Sequence, residues 1–402
     1  MPMPIDLEDA VDRVAARARV RTMGQETIAL DDTAGRTLAE DLVAPEDVPP
    51  FANSAMDGYA VRASDVAVAG VELKVIGESR AGKPAAVSVE PGAAVAISTG
   101  AVLPAGADAV VRVEDTERSG EGLVMIDTPV DAGLNIRRPG EDLHAGEVAL
   151  HQGSLIGPAE LGVLAAIGVA EVPCVKPPQV TVLVTGSELV EPGQRLEAGQ
   201  IYNSNGFAVP AQIHAAGAQV TEVVRVADDH DGTVAAVEQG LHSDILIVCG
   251  GVSVGAHDHV KSAFAKLGVE QEFWGVKLRP GHPTWFGATE STLVFGLPGN
   301  PVSAMVTCEL FVKPAIELML GRSAGRAMIS AILDTDFPKK SGYSYAIRCK
   351  LQLGSDGWHA APTKAQGSHI LTSMVDADAL ALLPAESGSI AAGESVPILL
   401  FR

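Results

Sequence analysis

Three apolar runs decide the fold: VTVLVTG (180–186), DILIVCGG (244–251) and STLVFGLPG (291–299), each closing on a glycine-bearing turn. Around them the chain reads NSNGFAVPAQIHAAG (203–217), QVTEVVRV (219–226), DGTVAAVEQGL (231–241), HVKSAFAKLG (259–268), EQEFWGV (270–276) and PVSAMVTCELFVKPAIELMLG (301–321). The rhythm is strand, loop, helix, which predicts an open α/β sheet with mostly parallel strands over 177–322. Gly217, Gly268 and Gly321 stand just past three of the helices, where a left-handed C-terminal residue belongs. Asn300 and Pro301 open the last helix as cap and first residue.

Outward from this core, AMISAILDTDF (327–337), YSYAIRCKLQL (343–353) and VPILLF (396–401) predict a small C-terminal β domain over 323–402. On the other side, the short Val-rich runs VELKVIGE (71–78), AAVAIS (93–98), ADAVVRV (107–113) and GLVMID (122–127) are separated by Gly, Pro and Asp. They predict a β-rich domain with little helix over 44–150. PAELGVLAAIG (158–168) reads as a helix with Pro158 in its first turn. The N-terminus reads as an amphipathic helix capped by Asp6 with Asp9, its face carrying Val11, Val14, Ala15 and Ala18. If these two helices pack together, 1–43 and 151–176 form one discontinuous helical linker domain into which the β-rich domain is inserted. The expected fold class is therefore multidomain α/β plus β.

The 402 residues carry 29 Lys plus Arg against 50 Asp plus Glu, a net charge of −21 that repels nucleic acid and anionic membranes over most of the surface. Neither is an expected partner. Cys174, Cys249, Cys308 and Cys349 lie far apart with no C-x-x-C pair, which signals neither a disulfide framework nor a four-cysteine zinc site. With no secretory pattern in the acidic N-terminal helix, a cytoplasmic location is expected. The uncharged stretch 291–308 has spanning length, but Pro298, Gly299, Asn300 and Pro301 break it in the middle.

In an open α/β sheet, ligands bind beyond the carboxyl ends of the strands, where loops offer free backbone N–H groups. TGSEL (185–189), CGGVSVGAHD (249–258) and GLPGNPVSA (296–304) occupy that edge. Singly, each also reads as a tight strand-to-helix turn; three along one sheet point to an extended anionic ligand. None is a P-loop or a dinucleotide fingerprint. Glu188, Asp228 and Asp258 accompany the turns, and oxygen ligands of this kind suit magnesium; Asp229 reads as a solvated loop residue. His257, Asp258 and His259 lack the second ligand pair of a zinc site. Positive charge is scarcer and more telling: Arg137, Arg138, Lys277, Arg279, His282 and Arg348.

The segments PPFANSAMDGYAVR (49–62), IRRPGED (136–142), TGSEL, GQIYNSN (199–205), GGVSVGAHD (250–258), RPGHPTWFG (279–287) and GLPGNPVSA occur in a familiar order and spacing. The chain resembles the MoeA family, the molybdopterin molybdenumtransferases related to the E domain of gephyrin, from near its N-terminus to its last β domain. PPFANSAMDGYAVR is the most specific segment; TGSEL and GGVSVG are shared with molybdopterin-adenylyltransferase domains of the MogA and MoaB type.

The resemblance implies an elongated homodimer of four-domain subunits that binds adenylylated molybdopterin on the α/β domain. Molybdate is inserted into its dithiolene with magnesium (Mg2+) assistance, and AMP is released. Carried over, the family's catalytic carboxylates fall on Asp57, Asp142, Glu188, Asp228 and Asp258, with Asp57 expected to reach the partner subunit's site and Asp228 and Asp258 to hold the metal. Substrate-binding positions fall on Thr185, Gly186, Ser187, Gly250, Gly251, Ser253, Gly255, Pro298, Gly299, Asn300 and Arg137. The molybdate pocket falls on Arg279, Pro280, His282, Ser303, Arg348 and Ser373. Many relatives carry Lys where this chain has Arg279, and Lys or an apolar residue where it has His282. The resemblance also implies contact with the molybdopterin adenylyltransferase. Two rival readings are adenylyl transfer itself and a binding scaffold of the cofactor pathway; the β-rich insertion and the AMDGY segment speak against the first, the lack of an appended catalytic domain against the second.

Overall fold

The computed structural model describes residues 3–252, 259–323, 328–363 and 365–401. Its centre is a six-stranded sheet in the order Gln219–Val226, Gln179–Thr185, Ile245–Cys249, Leu293–Leu297, Trp285–Ala288, Glu270–Trp274. The first four strands are parallel, whereas Trp285–Ala288 runs antiparallel to both its neighbours. Register brings the carboxyl ends level: Val184 lies beside Cys249, Cys249 beside Leu297, and Thr185 beside Val226. All the turns that leave these ends therefore open on one edge.

Burial on both faces accounts for the continuous apolar runs. Val180, Val182 and Val184 point into one core with Ile245, Ile247, Phe286, Phe295 and the last helix, while Leu183, Leu246, Val248, Phe264 and Trp285 fill the other. That last helix runs as Pro301–Thr307, a π-helical turn at Cys308–Val312, and Lys313–Met319. The N-terminal helix, Leu7–Arg19, buries Leu7, Ala10, Val14 and Ala18 in the same core. Asp6 precedes it but makes no side-chain cap; its carboxylate pairs instead with Lys277 Nζ at 3.0 Å.

Pro158–Ala166 forms the expected helix, yet its buried Leu164 joins Leu38, Ile156, Val172 and Cys174 in a separate small core. The expected packing on the N-terminal helix is thus corrected: each helix found a different apolar surface. The segments before and after the β-rich region are joined by strands, Gln25–Ala29 pairing antiparallel with Glu171–Val175. Between them lies a six-stranded sheet in the order Ala109–Arg112, Gly58–Val61, Ala93–Ile97, Val71–Ser79, Leu123–Ile126, Thr116–Gly120.

The C-terminal strands Met328–Leu333, Ser344–Gly354, Gly357–Pro362, Ala379–Leu383 and Ser395–Leu400 close on themselves, because Ser344–Gly354 pairs with both Gly357–Pro362 and Ala379–Leu383. The result is a small barrel-like unit around Leu333, Ile347, Cys349, Ala381 and Ile398. A strand of the α/β unit, Leu278–Arg279, adds to its edge, pairing parallel with Ser344 and Tyr345.

Candidate functional site

At the carboxyl edge of the parallel sheet, the three glycine turns converge. A Cβ on Gly250, whose φ is +94°, would stand 2.7 Å from Thr185 Oγ1 and 3.0 Å from the Thr185 carbonyl oxygen, and one on Gly299 would stand 3.6 Å from Gly250 Cα. Only glycine allows the first of these approaches. The cavity they border holds about 530 Å³ and is lined by Thr185, Glu188, Tyr202, Asn203, Asn205, Pro298, Gly299, Asn300 and His369, among others. Gly186, Ser187, Gly250 and Gly251 sit in the turns without lining it. Asp228 follows the neighbouring strand and is locked to TGSEL: the Ser187 N–H donates to its Oδ2 at 2.9 Å, and its own N–H donates to Ser187 Oγ at 3.2 Å. Ser253, Gly255 and Asp258 lie outside the described residues. Asp229 is solvent-exposed, as expected, and also caps the helix His230–Gly240 by accepting the Gly232 N–H at 2.7 Å.

Beside this cavity lies a second, of about 380 Å³, at the seam between the α/β unit and the barrel. Arg279, Pro280, His282, Ser303 and Arg348 all line it, so five of the six residues assigned to molybdate come together. The sixth, Ser373, lines an adjacent cavity, and the Arg348 Nε–H donates to its Oγ at 3.3 Å. The two main cavities share Pro283 and Asn300. Asn300 caps the last helix with its backbone only; its side-chain Nδ2 donates to Ser368 Oγ at 3.1 Å.

Arg348 is 1% exposed and has no carboxylate partner among the described residues; besides Ser373, it reaches only the carbonyls of Ala365 and Gly367, at 3.5 and 3.4 Å. Burial pushes its guanidinium down to about 10. A buried cation with so few acceptors is a standing demand for an anion. Arg279 is exposed, its guanidinium carbon 4.7 Å from the Tyr343 ring centroid. His282 Nδ1 lies 2.9 Å from the Val276 carbonyl, and its ring meets Trp274 and Tyr343 edge-on. Lys277, paired with Asp6, is a structural tie and not part of this cavity.

Comparison with known proteins covers nearly the whole chain. Residues 5–168 match the family model described as "MoeA N-terminal region (domain I and II)", 181–318 the "Probable molybdopterin binding domain", and 330–401 the "MoeA C-terminal region (domain IV)". A molybdopterin molybdenumtransferase of Bacillus subtilis is 37% identical over 99% of this chain and 94% of its own. The chain belongs to the MoeA family. The Haemophilus influenzae molybdopterin molybdenumtransferase is likewise 37% identical, over 94% of both chains. A solved MoeA protein from Pyrococcus horikoshii superposes with a TM-score of 0.84 at 30% identity, covering 99% of this chain and all of that one. As a MoeA protein the chain is a transferase of molybdenum cofactor biosynthesis.

The remaining MoeA-type positions lie elsewhere. PPFANSAMDGYAVR and IRRPGED are neighbours in space: Ile136–Arg137 pairs antiparallel with Asn53–Ser54, and the Asp142 N–H donates to the Val48 carbonyl at 2.9 Å. Asp57, Arg137 and Asp142, on these neighbouring segments of the β-rich unit, are all exposed and line neither main cavity. Asp57 Oδ1 accepts the Thr99 N–H at 2.7 Å. Among the described residues, no three His, Cys, Asp or Glu side chains gather to hold a metal, and no helix is long and apolar enough to cross a membrane.

Tyr202, Asn203, Asn205 and His369 in one cavity, and Tyr345 and Gln366 in the other, were not singled out from sequence. GQIYNSN held a signal for the first three, since it ends where a strand-to-helix turn meets the ligand edge.

Proposed function

We propose that the chain inserts molybdenum from molybdate into adenylylated molybdopterin and releases AMP, yielding the molybdenum cofactor. One observation carries this: two arginines without carboxylate partners among the described residues, Arg279 and Arg348, line one cavity, and it adjoins the glycine-turn cavity through Pro283 and Asn300. A pyrophosphate needs backbone N–H groups and a divalent cation, whereas a tetrahedral dianion needs fixed cations and hydroxyls. Adjoining walls offer both. Arg348 and Arg279 hold the dianion, Ser303 and Ser368 offer hydroxyls, and the turns at Thr185 and Gly299 receive the substrate.

Asp228 and Asp258, the latter outside the described residues, are the proposed oxygen donors for magnesium, which takes one or two carboxylates and completes its shell with water and phosphate. When bound, the ion would offset charge on the pyrophosphate. The proposal extends to the domain partition 1–43 with 151–176, 44–150, 177–322 and 323–402; the strand pairing across the insertion and the separate cores support it, except that the helix Leu7–Arg19 of the first segment packs in the α/β core. It also includes a homodimer in which Asp57 of one subunit reaches the other's cavities, a cytoplasmic location, and contact with the adenylyltransferase that would supply the substrate.

The test is to supply adenylylated molybdopterin, magnesium and molybdate, then measure AMP. Release should require both molybdate and the metal. AMP release indifferent to molybdate refutes the proposal, and synthesis of adenylylated pterin from ATP establishes the adenylyltransferase instead.

A further inference from the structure

Arg279 stands where a fixed cation is wanted, yet it is exposed and no described carboxylate holds it. An exposed arginine on a long flexible stem ordinarily samples many rotamers, and fixing it costs entropy. Its position comes from elsewhere. The backbone pairing of Leu278–Arg279 with the barrel sets Arg279 directly beside Tyr345. The guanidinium carbon lies 4.7 Å from the ring centroid of Tyr343 and 5.9 Å from that of Tyr345, with Nη1 3.5 Å from the Tyr345 hydroxyl. Both rings are themselves braced, Tyr343 by the edge of His282 at 5.8 Å and Tyr345 by Phe337 at 6.2 Å and by Lys339 Nζ at 5.5 Å.

A ring face attracts a cation through its quadrupole without taking up N–H donors, whereas a carboxylate would consume them and cancel the charge. We propose that Tyr343 and Tyr345 are positioning residues of the oxyanion cavity: their rings hold the Arg279 guanidinium at its rim, leaving its N–H groups, apart from the Nη1–H that the Tyr345 hydroxyl accepts, for the oxygens of a tetrahedral dianion. The proposal rests on the molybdate assignment of that cavity. It also gives the arginine a role that lysine fills less well, since a planar guanidinium stacks on aromatic rings and presents a fork of donors.

Equilibrium dialysis of molybdate against the full-length protein tests this without relying on turnover. Arg279→Ala should weaken retention; if it does not, the molybdate assignment of the cavity fails. Given that loss, Tyr343→Leu should weaken retention roughly three- to ten-fold, and Tyr343→Phe, which keeps the ring, should stay within about two-fold of wild type. In the Arg279→Ala background, Tyr343→Leu should add nothing, because the ring acts through the guanidinium. Unchanged retention in Tyr343→Leu, or an equal loss with and without Arg279, overturns the proposal while leaving the cavity's assignment intact.

Discussion

The glycine-turn cavity and the arginine cavity adjoin, yet they are built differently: tight glycine turns shape the first, and fixed side-chain cations mark the second. The first lies at the level carboxyl ends of three parallel strands, where Gly250 and Gly299 let the turns approach closely, and its lining combines those turns with the side chains of Glu188, Asn203, Asn205 and His369. The second lies where a two-residue strand of the α/β unit joins a barrel strand more than sixty residues later, and its polarity resides in side-chain charge, one guanidinium fully buried and the other at the rim. A wall of tight turns is sensitive to an added Cβ. A side-chain site is sensitive to loss of its charge.

Removing the buried charge should break that contrast most sharply. Arg348→Ala leaves Ser303, Pro280 and the rim arginine in place, but takes away the buried cation of the cavity's described lining. Truncating one member of a buried charge pair costs ~2–5 kcal/mol, so the molybdate needed for half-maximal AMP release should rise roughly 30-fold or more, with little change in the requirement for adenylylated pterin. A shift of less than about three-fold would mean that the buried guanidinium is structural. Gly250→Ala probes the other wall with a smaller expected effect. The new Cβ would meet Thr185 Oγ1 at 2.7 Å in a left-handed backbone conformation, a strain of ~1–2 kcal/mol. It should lower the thermal midpoint by a few degrees and raise the pterin requirement several-fold, while the molybdate requirement stays within about two-fold. Equal shifts in both would show that the two cavities act as one.

The same contrast governs what the sequence disclosed. Thr185, Glu188 and Pro298 to Asn300 follow strands whose continuous apolar runs are visible locally, so their place at the ligand edge was legible. Trp285–Ala288 was not, because four residues between Pro283 and a charged turn show no periodicity, and only pairing with Leu293–Leu297 makes them a strand. Nothing local predicts that Arg279 would sit beside Tyr345 or share a cavity with Arg348; those positions came from the family resemblance, and the long-range pairing explains them. Helix existence was readable at 158–166, but its packing partner was not, since an apolar stripe does not name the surface that covers it. Asp6 carries the signature of a cap, and Lys277, far away in sequence, took its carboxylate.

The smallest expected effect separates the barrel half of the seam from the rest by pH. His359 lies between two carboxylates, with Nδ1 2.8 Å from Asp334 and Nε2 2.9 Å from Asp356. Hydrogen bonds to both raise its pKa above the ordinary 6.5. Only the imidazolium can donate from both nitrogens at once. A base whose folded pKa is raised stabilises the fold fully below its unfolded value and loses that contribution as pH climbs through the folded one. The window therefore lies above pH 6.5. His359 stands on Gly357–Pro362, paired opposite Gln352 on the strand that also carries Arg348, so the bridge fastens the barrel and not the glycine turns. Because the bridge is exposed to solvent and salt, its contribution is modest. The thermal midpoint of the wild type should exceed that of His359→Gln most at pH 6, with the gap closing toward pH 8.5 and narrowing in high salt. A gap constant across that range would show that the imidazole contributes packing alone, and the barrel would then lack the pH response that distinguishes it from the α/β unit.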